Sequence, residues 1–108
     1  MKDVPFARKE LGQHWLHDDA SLTAMCDAAE LSQGDEVLEI GPGTGTLTKK
    51  LLERGAKVTA VELDEMLANR LEQTFRGQAL KLHRESILTF DLTGLSLDYK
   101  LVANIPYY

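Results

Sequence analysis

The chain has 108 residues, enough for one domain, with 12 basic against 17 acidic side chains and a net charge of −5. That sign argues against a free-standing nucleic-acid binder, so RNA contacts would have to come from a local cluster such as Lys2, Arg8 and Lys9, or from protein beyond these residues. No apolar run approaches the roughly 20 residues of a membrane helix and the N-terminus lacks a signal-peptide core, while the single Cys26 excludes an internal disulfide, so a cytoplasmic protein away from membranes is expected.

Between Asp19 and Leu31 the apolar residues Leu22, Met25, Cys26 and Ala29 recur at helical spacing and predict an amphipathic helix, with Cys26 as a core residue. Val37-Leu38-Glu39-Ile40 reads as a buried parallel strand, and Gly41-Pro42-Gly43-Thr44-Gly45 follows it directly. A helix carrying Leu47, Leu51 and Leu52 then runs to Gly55. The unit repeats in outline: a β-branched strand over Lys57 to Leu63, then a helix capped by Asp64 that holds Leu67, Leu71 and Phe75 and ends at Gly77. Leu80-Lys81-Leu82 predicts a third strand and Tyr99 to Ala103 a fourth, with Ile87 to Asp98 irregular between them. Alternating strands and helices predict an α/β fold with a parallel sheet, whose ligands bind at the carboxyl ends of the strands.

The sequence motifs lie at those ends. A glycine loop between strand and helix lets backbone approach a ligand closely, and the helix N-terminus behind it offers unpaired N–H groups. Glu62, about twenty residues further on, can accept hydrogen bonds from ribose hydroxyls. The same glycines would also serve a plain tight turn, but loop, helix and acid occur here in order. The dinucleotide pattern G-x-G-x-x-G requires a third glycine where Thr46 stands, with Gly45 one residue early. Glu39-x-Gly41-x-Gly43-x-Gly45 instead follows the E/D-x-G-x-G-x-G pattern resembling class I methyltransferases, and a carboxylate at Glu39 is compatible with the ammonium of S-adenosylmethionine.

Asn104-Ile105-Pro106-Tyr107 follows the fourth strand. An exocyclic adenine amine is a poor nucleophile because its lone pair is delocalised into the ring. The Asn104 side-chain carbonyl and the Ile105 backbone carbonyl would accept its hydrogens and favour a pyramidal nitrogen. Pro106 would stiffen the turn, and Tyr107 would stack a flipped-out base. Taken alone, the tetrapeptide also suits a strand ending in a turn, with an aromatic over the core. His17 and His83 have no ligand partners at metal-binding spacing, so no metal is expected. Glu65, Glu72 and Arg76 read as solvated helix charges.

With Arg8-Lys9-Glu10-Leu11-Gly12-Gln13-His14-Trp15-Leu16 added, four ordered motifs are similar to those of the ribosomal RNA adenine N6,N6-dimethyltransferases, relatives of the macrolide-resistance methyltransferases. The resemblance implies a Rossmann-like class I methyltransferase fold truncated after its fourth strand. Residues 1–108 would be the front of the cofactor domain, with three further strands and a helical domain beyond. It implies dimethylation of adenine N6 in small-subunit ribosomal RNA, with S-adenosylmethionine as cofactor and the small-subunit precursor as partner. His14 and Leu16 would lie beside the cofactor, with Gly41 against its methionine portion, Glu62 on its ribose, and Gly43, Gly45 and Asn104 also in contact with it. Asn104 and Tyr107 would hold the target adenine. Trp15 stands where the family usually has Phe. Ser86 stands where the family usually has an Asp on the cofactor's adenine, with Glu85 adjacent. A non-catalytic nucleotide-binding or ribosome-assembly module and a macrolide-resistance methyltransferase are the alternatives. The fourth strand, apolar from Leu101 to Ala103 with Lys100 only at its start, is expected to support self-association as an open sheet edge.

Overall fold

The computed structural model describes residues 19–103. Among these residues four short strands, β1 (Glu36–Ile40), β2 (Lys57–Val61), β3 (Leu80–His83) and β4 (Lys100–Ala103), alternate with three helices before the last crossover. The helices are α1 (Asp19–Ala28), α2 (Thr46–Glu53) and α3 (Glu65–Thr74). The strands form one parallel sheet in the order β3-β2-β1-β4, the α/β arrangement expected from the alternation of patterns. Register sets the geometry of the sheet's carboxyl edge. Ile40 pairs with both Val61 and Ala103, and Val61 pairs with His83, so all four strands end level. Gly41, Glu62 and Arg84 therefore step off the sheet along one rim.

Side chains alternate across a strand, so this register also sorts the residues by face. Val37, Val58, Ala60 and Val102 share one face and form a single buried cluster with Leu22 and Cys26 of α1 and Leu47 and Leu51 of α2. Exposed ion pairs Lys50–Asp19 and Arg54–Asp27 join the two helices above this core, where such pairs add little to stability. On the other face, residues 84–99 carry the chain from β3 past β2 and β1 to β4. Phe90 meets His83 edge-to-face with ring centroids 4.9 Å apart, and Ser96 N–H donates to the Glu36 carboxylate at the opposite end of the sheet. A single 3₁₀ turn, Leu92–Gly94, with Asp91 accepting from Thr93, is the only helical piece of this segment.

Several boundaries differ from the sequence expectation for identifiable reasons. The first helix stops at Ala28 because Glu30 turns left-handed at φ 51°. Lys100 then supplies what the helix end lacks: its Nζ donates to Ala29 O at 2.8 Å and Glu30 O at 2.7 Å, and pairs with Asp35 at 3.1 Å. The second strand ends at Val61, two residues early, which leaves Leu63 outside the ladder. The fourth begins at Lys100, one residue late. Asp64 caps α3 as expected, accepting from Leu67 N at 3.0 Å. Glu72 is an exposed helix charge, as expected, and is ion-paired with Arg84, which also donates to Asn69 at 2.8 Å. Within β4 only Val102 is buried, because α1 and α2 lie on its side of the sheet, and Leu101 is 59% exposed.

Candidate functional site

The loop after β1 is shaped by three glycines with positive φ, Gly41 (67°), Gly43 (60°) and Gly45 (89°). Gly41 N–H donates to Val61 O at 3.0 Å, so the loop leaves the sheet still bonded to β2, and Gly45 N–H closes a tight turn on Pro42 O at 3.0 Å. Gly45 is the N-cap of α2 and offers no side-chain acceptor to the first turn. A Cβ there would stand 2.8 Å from both Leu71 and Phe75 of the α3 region, so the residue must be glycine for the helices to pack. Gly43 differs. Among the described residues a Cβ on it would meet only Gly41 O, at 3.9 Å.

Glu62 ties this loop to the neighbouring strand end. Its Oε1 accepts from Gly43 N at 3.0 Å and its Oε2 from Asp64 N at 3.0 Å, and its own N–H donates to His83 O at 2.9 Å. The side chain is only 7% exposed, yet each oxygen retains a lone pair beyond these bonds. Leu63 beside it is 70% exposed, and Met66 in the first turn of α3 is similarly open. The sequence pattern conceals this pair, since Leu63 continues a β-branched run and reads as the end of a buried strand.

Glu39 sits beneath the loop and is fully buried. The Thr48 hydroxyl donates to its Oε1 at 2.6 Å, while Oε2 is sealed from solvent with no hydrogen-bond partner among the described residues. Burial pushes the carboxyl up to about 7. The Thr48 hydrogen bond opposes the shift and the nearby Glu62 carboxylate adds to it. Thr48 is a site residue that the sequence does not single out, since a threonine in the first turn of a helix reads as ordinary. Cys26 is a core residue, as expected, with its thiol pushed up by burial.

Over residues 6–108 the chain matches the family described as ribosomal RNA adenine dimethylase. It belongs to that family. A ribosomal RNA small subunit methyltransferase A from Thermosynechococcus vestitus is 52% identical over 101 residues, covering 94% of this chain and 38% of the relative. The chain thus spans little more than a third of that relative's length. Among solved structures, the 23S rRNA methyltransferase ErmE is 32% identical with a TM-score of 0.72, over 83% of this chain and 36% of that one. Coclaurine N-methyltransferase, solved with N-methylheliamine and SAH bound, is 25% identical with a TM-score of 0.62, over 68% of this chain and 23% of that one.

Of the residues that this adenine dimethylase pattern singles out, the fold brings Gly41, Gly43, Gly45 and Glu62 together at the rim. Ser86 lies just past β3 and is engaged in its own turn: its Oγ accepts from Leu88 N at 3.1 Å and its carbonyl from Thr89 N at 3.0 Å. Glu85 accepts from the Thr89 hydroxyl at 3.1 Å and stands 3.9 Å from His83 Nδ1. His14, Leu16, Asn104, Ile105, Pro106 and Tyr107 lie outside the described residues, as do Lys2, Arg8, Lys9 and His17. Among the described residues no three His, Cys, Asp or Glu side chains are grouped to hold a metal ion, and no helix is long and apolar enough to cross a membrane.

The buried carboxyl makes stability depend on pH. Glu39 rises from an ordinary 4.5 to about 7 on folding, so the native state binds the extra proton between those values. Its contribution is present below the lower value and is lost as pH rises through the upper one. Glu39→Gln keeps the Thr48 hydrogen bond without the charge. Denaturant unfolding of the two proteins at pH 5 and pH 8 should show the variant gaining, relative to wild type, on the order of 2 kcal/mol at the higher pH. A gap that does not change with pH would show that Glu39 is ionised throughout.

Proposed function

We propose that this chain forms the cofactor-binding part of an S-adenosylmethionine-dependent methyltransferase that dimethylates adenine N6 in small-subunit ribosomal RNA. The observation that carries the reading is the Glu62 carboxylate held beside a glycine loop by Gly43 N–H, in a member of the ribosomal RNA adenine dimethylase family. The residues present fit the cofactor. Among the described residues no side chain fills the space beside Gly43 and none pairs with Glu39 Oε2, a carboxyl oxygen that favours a cationic ligand over a pyrophosphate. When bound, S-adenosylmethionine supplies a methyl group on a positively charged sulfur. Glu62 accepts from the ribose hydroxyls with its remaining lone pairs, and exposed Leu63 covers a face of the cofactor's base. Gly41, Gly43 and Gly45 pass along the methionine portion, with His14 and Leu16 nearby and Ser86 towards the cofactor's adenine. Asn104 and the Ile105 carbonyl accept the target amine hydrogens, Pro106 holds the turn, and Tyr107 stacks on the base. We assign the enzyme to the cytoplasm, where ribosomal particles assemble.

Two other readings stand beside this one. The likeness to ErmE favours a large-subunit target, against which the higher identity to a small-subunit enzyme weighs. A non-catalytic nucleotide-binding module would keep the loop and lose the transfer. Transfer of tritiated methyl, measured with the chain extended to the length of its relatives, separates them. Label in unmodified small-subunit particles supports the proposal, label only in 23S RNA supports the ErmE-like reading, and binding without transfer supports the module.

Calorimetry should show S-adenosylmethionine binding in preference to NAD. Glu62→Ala should weaken that binding by about 1–3 kcal/mol through lost hydrogen bonds to a charged acceptor. Unchanged affinity would remove Glu62 from the ribose site. In the transfer assay Asn104→Ala should lower the rate far more than cofactor affinity, and Tyr107→Ala should weaken base capture by roughly 1–3 kcal/mol. Normal rates in both variants would dissolve the adenine pocket. We also propose that the 108-residue chain self-associates through β4, whose edge away from β1 pairs with no strand among the described residues. Light scattering should show mass rising with concentration, and a concentration-independent monomer would refute pairing there.

A further inference from the structure

Glu39 lies beneath the glycine loop yet takes no part in ribose binding or in holding the target base. It occupies the penultimate position of β1, with no exposed surface, its Oε1 on the Thr48 hydroxyl and its Oε2 without a partner among the described residues. The groups facing it can be named for each packed element. Glu62 comes from the end of β2, the Cys26 thiol from α1 and the Thr48 hydroxyl from α2, while its register partner on β4 is apolar Val102. Lys50 and Arg54 act on the Cys26 side of this group, and each is ion-paired with an aspartate of α1. An isolated buried carboxyl beside a second carboxylate holds its proton to higher pH, and gives it up more readily when a positive charge arrives. S-adenosylmethionine and its thioether product both carry an ammonium, and S-adenosylmethionine brings a second positive charge, on sulfur, that the product lacks.

We infer that Glu39 is a specificity residue that releases a proton to solvent when the sulfonium cofactor occupies the glycine loop and regains one when the neutral thioether product takes its place. The inference rests on the S-adenosylmethionine reading and deepens it. The balance is simple. The carboxylic acid becomes a carboxylate plus a solvent proton as the cation binds, and the reverse follows once the methyl group has left sulfur with the bonding pair remaining there. Glu39 thus lets the site favour charged substrate over neutral product without contacting the transferred methyl. The sign follows from a free carboxyl near 7 that ionises more readily beside a cation. Cofactor affinity rises with pH, by about fivefold between pH 6 and pH 8 for a drop of about one unit in the bound state, while product affinity changes much less.

Titration calorimetry of the chain tests this with S-adenosylmethionine and with S-adenosylhomocysteine, each at pH 6 and pH 8 and in phosphate and Tris at pH 7. The readout is the difference between wild type and Glu39→Gln, which cancels protons exchanged by the ligand's own amino group. Wild type should release more protons than the variant on binding the sulfonium, and this excess should be smaller with the thioether, which keeps the ammonium but lacks the charge on sulfur. Thr48→Val removes the hydrogen bond that favours the ionised form and should move the affinity rise to higher pH, a shift that a merely structural role would not produce. It also serves if Glu39→Gln fails to fold. Tight sulfonium binding with the same proton release in wild type and Glu39→Gln, or with an unshifted rise in Thr48→Val, overturns the inference and leaves the cofactor reading standing. No sulfonium binding at either pH overturns both.

Discussion

The carboxylate of Glu62 holds two backbone N–H groups, one from the glycine loop after β1 and one from the residue that caps α3. Hydrogen bonds to a charged acceptor are each worth roughly 1.5–3 kcal/mol, more than neutral ones. Here a single side chain joins the loop, the end of β2 and the start of α3 at the rim. The level strand ends make this possible, since the pairing of Ile40 with Val61 sets Gly41 and Glu62 side by side as the chain leaves the sheet. A loop of glycines at positive φ would otherwise be among the least constrained backbone in the molecule. Held by Glu62 on one side and by the Gly41–Val61 bond on the other, it becomes a shaped surface.

Packing completes what the acid begins. Gly45 brings the start of α2 against Leu71 and Phe75, so the loop is stapled between the sheet and two helices. Glu39 holds the register position between Ala60 and Val102, next to the apolar core. A buried carboxyl without a full set of partners costs stability, and natural chains retain such groups where a ligand rewards them. Its position directly beneath the loop gives that expense a location. Lys100 serves the far end of the fold, binding the carbonyls of Ala29 and Glu30 just past α1 while starting the strand that leads into Asn104.

With a net charge of −5 the chain is acidic, and an acidic surface repels phosphate at long range. In the proposed reading an adenine would be captured at short range instead, by stacking and by carbonyl acceptors of Asn104 to Tyr107, a segment that contains no charged residue.

The fold class, the order of elements, the glycine loop and its acid were legible in the sequence because each rests on local chemistry. Apolar period distinguishes strand from helix, glycine marks positive φ at Gly43 and Gly45, and Asp64 announces a helix start. Boundaries were less legible at Leu63 and Leu31, where apolar residues continue a pattern after the hydrogen bonding has stopped. Other features were decided only when distant segments met. That Glu39 is sealed under the loop with Thr48 on one oxygen depends on α2 crossing the end of β1, nine residues away. That Glu72 answers Arg84 depends on α3 lying along β3, and that Gly45 serves packing before binding depends on where Phe75 arrives. Composition and spacing report what a residue can do, whereas burial and the choice of partner are properties of the assembled sheet.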